Sequence, residues 1–147
     1  MKRILTDLLP LQVEPTRHRG IGQYTWQLVD ALLRPGGPEA AHRLAVHPGL
    51  PPPRPFASGG APWRVVDVDL PALGYLAETW AAHRDRYAAM WQGVIDAHAI
   101  DVLLVPSPFE LVAPPHSRPA RAQLALVVYD LIPLVFPEHY LTVTPPW

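Results

Sequence analysis

The chain has 147 residues, of which 49% are hydrophobic and 17% charged, with a formal net charge of -1 and no cysteine. This length and apolar content suit one α/β domain with a single core. The near-neutral charge argues against a dedicated nucleic-acid-binding protein, and the lack of cysteine excludes a disulfide framework, a thiolate zinc site and a cysteine nucleophile. No apolar run approaches the roughly 20 residues that a membrane-spanning helix requires, so we expect no transmembrane segment.

In the first half of the chain, short apolar strands alternate with helical or irregular segments. We expect strands at residues 3–8, 43–47 and 63–68, and Pro10 is expected to end the first of them. A polar, basic loop is expected next, followed by a helix over residues 20–33. The apolar residues that recur there at helical spacing predict one buried face, made of Ile21, Tyr24, Leu28, Ala31 and Leu32.

The second half continues the same alternation. Residues 72–98 contain no proline and predict one long amphipathic helix or two abutting ones. Strands are predicted at residues 101–105 and 123–129, and their apolar runs indicate burial on both faces, as in a parallel sheet covered by helices. The expected fold class is therefore α/β, with a Rossmann-like, open, mainly parallel sheet flanked by helices, in a single domain over residues 1–147.

Small residues mark the start of the predicted helix at Gly20-Ile21-Gly22. Ligands of an open parallel sheet bind at the carboxyl ends of its strands, and a helix N-terminus there offers free N–H groups to a diphosphate. A tight turn into the helix is an equally good interpretation. The segment is not a dinucleotide fingerprint, because Thr25 occupies the third glycine position and His47 stands where an NAD site would want an acid.

Metal-ligand patterns are weak in this sequence. Asp67 and Asp69 form an Asp-x-Asp triplet, which suits a metal-dependent transferase but more often ends a strand with one acid facing solvent. The seven histidines show no ligand spacing, so each is expected on the surface or in a loop. We therefore expect no bound metal.

Three stretches together resemble bacterial family 4 glycosyltransferases. Residues 19–25, Arg-Gly-Ile-Gly-Gln-Tyr-Thr, resemble the Arg-Gly-Ile-Gly-Arg-Tyr segment that follows the first strand in that family. Residues 129–141, which begin Tyr-Asp-Leu-Ile-Pro-Leu, are similar to its His/Tyr-Asp-Leu-Ile-Pro-Leu segment, and residues 107–110, Ser-Pro-Phe-Glu, to its loop after the fourth strand. The resemblance covers roughly residues 3–141, in the same order.

The resemblance implies the N-terminal, acceptor-side half of the two-domain GT-B fold, whose other domain holds most of the nucleotide sugar. Such enzymes are typically retaining and use no metal or cofactor. They move mannose or a related sugar, which makes GDP-mannose a candidate donor, to a glycan or glycolipid acceptor in polysaccharide biosynthesis. The implied location is the cytoplasm, including the periphery of the inner membrane face.

The family's functional positions carry over by motif. Asp130 and Tyr129 would be the catalytic residues in the cleft, although many relatives have histidine at the position of Tyr129, and tyrosine is a poor base near neutral pH. The backbone of Gly20, Ile21 and Gly22 would approach the donor diphosphate. The acceptor cleft would be lined by Arg19, Tyr24, Ser107 and Glu110, although Arg19 and Glu110 equally suit a structural ion pair or a solvated charge.

Because the family's donor domain would lie beyond Trp147, we expect a domain cut short at its C-terminal end, inactive alone and prone to self-association. The alternative is a non-catalytic, Rossmann-like binding or assembly module that docks onto a partner subunit. A third hypothesis is the metal-dependent transferase that would use Asp67 and Asp69.

Overall fold

The structure is a computed structural model that describes residues 2–34, 41–53, 65–68, 77–107 and 118–128. Its strands are β1 (Arg3–Asp7), β2 (Ala41–Val46), β3 (Val65–Asp67), β4 (Val102–Val105) and β5 (Gln123–Leu126). Its helices are α1 (Leu9–Gln12), α2 (Glu14–Arg17), α3 (Gly20–Leu33) and α4 (Ala77–His98). The remaining parts of the predicted elements, at residues 35–40, 54–64, 69–76 and 129–147, lie outside the described residues.

The five strands form one sheet in the order β3-β2-β1-β4-β5, and every neighbouring pair is parallel. The chain moves outward from β1 to β3 and then returns to the other side of β1 with β4. This order places the switch point between β1 and β4, where open α/β sheets bind ligands. The predicted Rossmann-like α/β fold with a parallel sheet is confirmed.

Helices cover both faces of the sheet. On one face, Leu5 of β1 and Leu103 of β4 belong to a buried cluster with Tyr87, Trp91 and Ile95 of α4. On the other face, a second cluster joins the sheet to α3 through Leu8, Leu11, Leu44 and Val29, with Trp26 packed against it. The apolar runs of the inner strands are therefore buried by two helical layers, as such runs require.

Two short helices replace the loop that was predicted after β1. Pro10 lies in the first turn of α1 and Pro15 in the first turn of α2. Proline fits that position because a first-turn N–H has no partner within the helix. Pro10 therefore does not lead into an irregular loop, and all four residues of α1 are buried.

The predicted helix over residues 20–33 is confirmed, but its predicted buried face is wrong. The buried residues of α3 are Gly22, Thr25 and Val29. A Cβ at Gly22 would lie 2.5 Å from the carbonyl oxygen of Arg17, so the helix backbone itself packs against α2. Small side chains rather than large apolar ones face inward. The predicted face is half-buried at Ile21, Tyr24, Leu28 and Leu32 and exposed at Ala31.

The expectation of two-sided burial is met in part by β4 and is wrong for β5. Leu103 and Val105, on one face of β4, are buried, and Val102 and Leu104, on the other, are half-buried. Leu126 of β5 is 46% exposed and Val128 just beyond it is 49% exposed. Among the described strands, β5 is the outermost on its side and pairs with β4 alone.

Within the described residues, none of the helices combines the length and apolar character that crossing a membrane requires.

Substitution of Gly22 in α3 and of Gly93 in α4 tests the close contact between α2 and α3. Gly22→Ala should lower the free energy of unfolding by about 1–3 kcal/mol, because the new methyl group meets backbone atoms that cannot rotate away. Gly93→Ala is the matched control in α4, where a Cβ would meet nothing within 4 Å. It should raise stability by about 0.5–1 kcal/mol through helix propensity. Urea unfolding measures both, and equal effects would contradict the packing described.

Candidate functional site at the carboxyl edge of the sheet

A buried acid and a buried histidine meet where β1 and β2 end. Asp7 is the last residue of β1 and His47 follows β2, and each is 1% exposed. His47 Nε2 lies 2.9 Å from Asp7 Oδ1, and His47 Nδ1 lies 3.0 Å from the carbonyl oxygen of Val68, just after β3. The expectation that each histidine lies on the surface or in a loop does not foresee that His47, just after β2, is buried against a carboxylate.

The two partners of His47 define its protonation. The Val68 carbonyl can only accept a hydrogen bond, so Nδ1 carries a hydrogen and donates it. Burial alone would lower the pKa of His47, but the hydrogen bond and charge of Asp7, together with the Val68 carbonyl, raise it above its ordinary value of 6.5. Below pH 6.5, His47 is thus an imidazolium that donates to Asp7 from Nε2 as well, and both ring nitrogens are occupied.

Asp7 also shapes the chain that follows it. Its Oδ1 accepts the N–H of Leu9 at 3.0 Å, two residues ahead, at the start of α1. Aspartate often bonds to the backbone two residues on, and such a bond turns the chain out of a strand. The acid therefore directs the chain from β1 into α1 while it pairs with His47.

Gln12 at the end of α1 holds the loop after β2. The side chain is fully buried, and its Oε1 accepts the N–H of His47 at 2.9 Å. Its Nε2 donates to the carbonyl oxygens of His47, at 3.0 Å, and Pro51, at 3.1 Å. Both amide hydrogens of Gln12 are used. The loop is thereby fixed at two points, which sets the position of the neighbouring Pro52.

Trp91 of α4 closes the network from the face of the sheet. Its ring meets the His47 ring edge-on, with centroids 6.2 Å apart and planes at 78°. His47 is consequently enclosed by backbone, carboxylate and indole, out of reach of a ligand. The pair of Asp7 and His47 holds the edge of the sheet together rather than serving as an acid–base catalyst.

A cavity of about 210 Å³ opens beside this network, between α1, α2, the start of α3 and the loop after β2. Its polar wall includes Arg17, whose guanidinium pairs with Glu14 and donates from Nε to His18 Nε2 at 2.9 Å. The lining residues are Leu11, Arg17, His18, Gly22, Gln23, Trp26 and Pro52.

The glycine segment lies at this edge, as the sequence indicates. Gly20 is the first residue of α3 and is exposed, Ile21 is half-buried, and Gly22 is buried and lines the cavity. The first helical hydrogen bond runs from Gln23 to the carbonyl of Arg19, so the N–H groups of residues 20–22 precede the helical ladder. The contact with Arg17 explains why residue 22 is glycine. The role of residues 20–22 beside a phosphate stays a prediction.

Three further predicted site residues belong to the same edge. Arg19 is the exposed N-cap of α3, Tyr24 is half-buried in the second turn of α3, and Ser107 is buried two residues beyond β4. Ser107 lies beside the switch point between β1 and β4. The predicted Glu110, Tyr129 and Asp130 lie outside the described residues.

The triplet of the metal hypothesis is described only in part. Asp67 is exposed at the end of β3, and Asp69 lies outside the described residues. Across the part of the chain that the structure describes, no group of three or more histidine and acidic side chains is arranged to hold a metal ion.

The fold and the carboxyl-edge features define the class of this molecule as a Rossmann-like α/β domain with a ligand-sized cavity at the start of α3. Comparison with family models, curated proteins and solved structures found no match to this chain.

The charge pair predicts a specific pH dependence of stability. A raised pKa means that the folded state binds the His47 proton more tightly than the unfolded state does. The stabilisation is complete below pH 6.5 and is lost as the pH rises through the raised pKa, because neutral His47 would turn a lone pair toward the Asp7 carboxylate. Urea unfolding across this range should show that loss in the wild type and its absence in His47→Gln.

His42 of β2 supplies the control, since its pKa shifts in the direction opposite to that of His47. Burial lowers the pKa of His42, so its contribution is lost as the pH falls below 6.5. As the pH falls, the free energy of unfolding of the wild type should therefore decrease relative to His42→Gln. Relative to His47→Gln, it should increase as the pH falls from alkaline values toward 6.5. A wild type and a His47→Gln variant that lose stability in parallel above pH 6.5 would contradict the ion pair.

Proposed function

We propose that this chain is the acceptor-side, Rossmann-like domain of a glycosyltransferase that moves a sugar from a nucleotide-sugar donor to a glycan or glycolipid acceptor. The observation that carries the proposal is the placement of the Arg-Gly-Ile-Gly-Gln-Tyr-Thr segment. It begins the 14-residue helix α3, which follows β1 after the short helices α1 and α2, at the carboxyl edge of a parallel sheet. The motif resemblance and the fold thus both support a ligand site at the carboxyl edge of the sheet.

The start of α3 suits the diphosphate of such a donor. Its first turn contains no acidic residue, and the positive end of the helix dipole lies at Gly20, next to the exposed cation of Arg19. When the sugar leaves, negative charge builds up on the departing diphosphate. N–H groups and a cation that are already in place would stabilise that charge.

The other roles in the proposal follow from the motif positions. Ser107 and Glu110 would contact the acceptor, and Tyr129 and Asp130 would line the cleft where the sugar is transferred. A second Rossmann-like domain would close over the same edge and hold the nucleotide. The buried position of Ser107 beyond β4 supports its place near that cleft.

Binding of a nucleoside diphosphate tests the proposed phosphate contact. In the ¹⁵N-labelled protein, titration with GDP and UDP should shift the amide signals of Gly20 and Ile21, and added salt should weaken the effect. Arg19→Gln at the start of α3 should weaken binding about three- to tenfold through the loss of one charge-assisted contact. Arg34→Gln, which changes another exposed arginine at the C-cap of the same helix, should change binding less than twofold, as expected of a surface charge far from the site.

Two results would count against the proposal. The first is an absence of shifts at Gly20 and Ile21 with every nucleoside diphosphate at millimolar concentration. The second is an equal loss of binding in Arg19→Gln and Arg34→Gln, which would mean that only the overall charge of the protein matters.

An assembly module is the second candidate function, and the exposed apolar residues near β5 favour it. Leu126 of β5, the outermost described strand on its side, and Val128 just beyond it are about half-exposed. Exposed apolar surface of this kind often marks a protein contact. Gel filtration followed by a transfer assay separates the candidates: a stable hetero-complex without sugar transfer favours the module, and a complex that transfers sugar favours the enzyme.

A further inference from the structure

The cavity beside α3 is lined by both apolar and polar side chains. Leu11, Trp26 and Pro52 supply apolar surface, and Arg17, His18 and Gln23 supply polar groups. We propose that this cavity is a subsite for a single neutral sugar ring, with the ring packed on Trp26 and its hydroxyl groups bonded to Arg17 and Gln23. The inference rests on the proposed function only in naming that ring as part of the acceptor.

The volume of the cavity limits the size of its ligand. Drug-sized ligands occupy pockets of roughly 300–1,000 Å³. At about 210 Å³ the cavity lies below that range. A whole nucleotide sugar is therefore too large, whereas one six-membered ring with its hydroxyl groups matches the space.

The aromatic wall suits the apolar face of such a ring. Trp26 is half-buried and packs against the cluster of Leu8, Leu11, Val29 and Leu44, which holds the indole in place. Binding sites for small molecules combine apolar or aromatic surfaces with a few fixed polar groups, and a sugar ring offers the complementary pair of surfaces. The cavity presents that combination within one turn of α3.

The charges around the cavity favour a neutral ligand over an anion. The guanidinium of Arg17 is paired with the carboxylate of Glu14, which also lies 3.8 Å from His18 Nε2. An anion entering beside Arg17 would meet the field of Glu14, so the local charge is already balanced. Arginine has five N–H donors, and those that remain can still donate to hydroxyl oxygens.

The wall opposite α3 is held in place before any ligand arrives. Gln12 binds the carbonyl oxygen of Pro51, and Pro52, the next residue, lines the cavity. A wall that is already ordered costs a ligand less conformational entropy on binding. The buried network at the end of β1 and β2 therefore prepares the cavity for a weakly binding ligand such as a monosaccharide.

Titration with neutral methyl glycosides tests the subsite. In the ¹⁵N-labelled protein, the methyl glycosides of mannose and glucose at millimolar concentration should shift the backbone amides of His18 and Gln23 and the indole signal of Trp26. Gln23→Ala should weaken the better-bound glycoside about three- to tenfold, the loss expected for one hydrogen bond. Gln27→Ala, one turn further along α3, exposed and outside the lining, is the matched control and should change binding less than twofold. Trp26→Phe, which keeps an apolar ring, provides a second variant and should also weaken binding.

Each alternative result overturns the subsite. Shifts that appear only away from the cavity would do so, as would a preference for glucuronate or inorganic phosphate over the neutral glycosides, or equal effects of Gln23→Ala and Gln27→Ala. If the glycosides fail while GDP or UDP still shifts Gly20 and Ile21, the subsite is refuted and the glycosyltransferase proposal stands. If the glycosides bind and the nucleotides do not, the subsite stands and the donor contact is refuted.

Discussion

The ion pair between Asp7 and His47 is the interaction on which the carboxyl edge of this domain depends. Both side chains are 1% exposed, so neither charge is stabilised by water. Removal of one partner from such a pair leaves an uncompensated buried charge, which costs about 3–5 kcal/mol. Because His47 also donates to the carbonyl of Val68, the pair joins the ends of β1, β2 and β3 at one point.

The cavity follows from this network. Asp7 turns the chain into α1 through the N–H of Leu9, and α1 delivers Gln12 to the loop after β2. Gln12 then fixes Pro51, which positions the cavity wall at Pro52. On the other side, the glycine at position 22 lets α3 approach the backbone of Arg17. The site is thus a consequence of two backbone contacts and one buried charge pair, and the polar residues that face the cavity are placed by them.

The sequence predicts the sheet and the longer helices of this domain better than it predicts the side-chain contacts at the carboxyl edge of the sheet. Apolar runs and the glycine segment are local signals, and they correctly predict the parallel sheet and the start of α3 at Gly20. The burial of His47 depends on a partner 40 residues away on a neighbouring strand, for which no spacing rule exists. An acid that ends one strand and a histidine that follows the next is the signal that could have revealed it. The inward face of α3 was predicted wrongly because hydrophobicity does not report how closely two backbones approach at Gly22.

The protonation of His47 tests this account most directly. Ring ¹⁵N spectra below pH 6.5 should show hydrogens on both Nδ1 and Nε2 in the wild type, and a titration should give a pKa above 6.5. Asp7→Asn removes the carboxylate charge, so the pKa of His47 should fall. Because Oδ1 makes both contacts, the amide can keep only one of the bonds to His47 and Leu9, and the variant should also be less stable. A wild-type His47 that is neutral at pH 6.5, or a pKa that Asp7→Asn leaves unchanged, would contradict the ion pair and the account built on it.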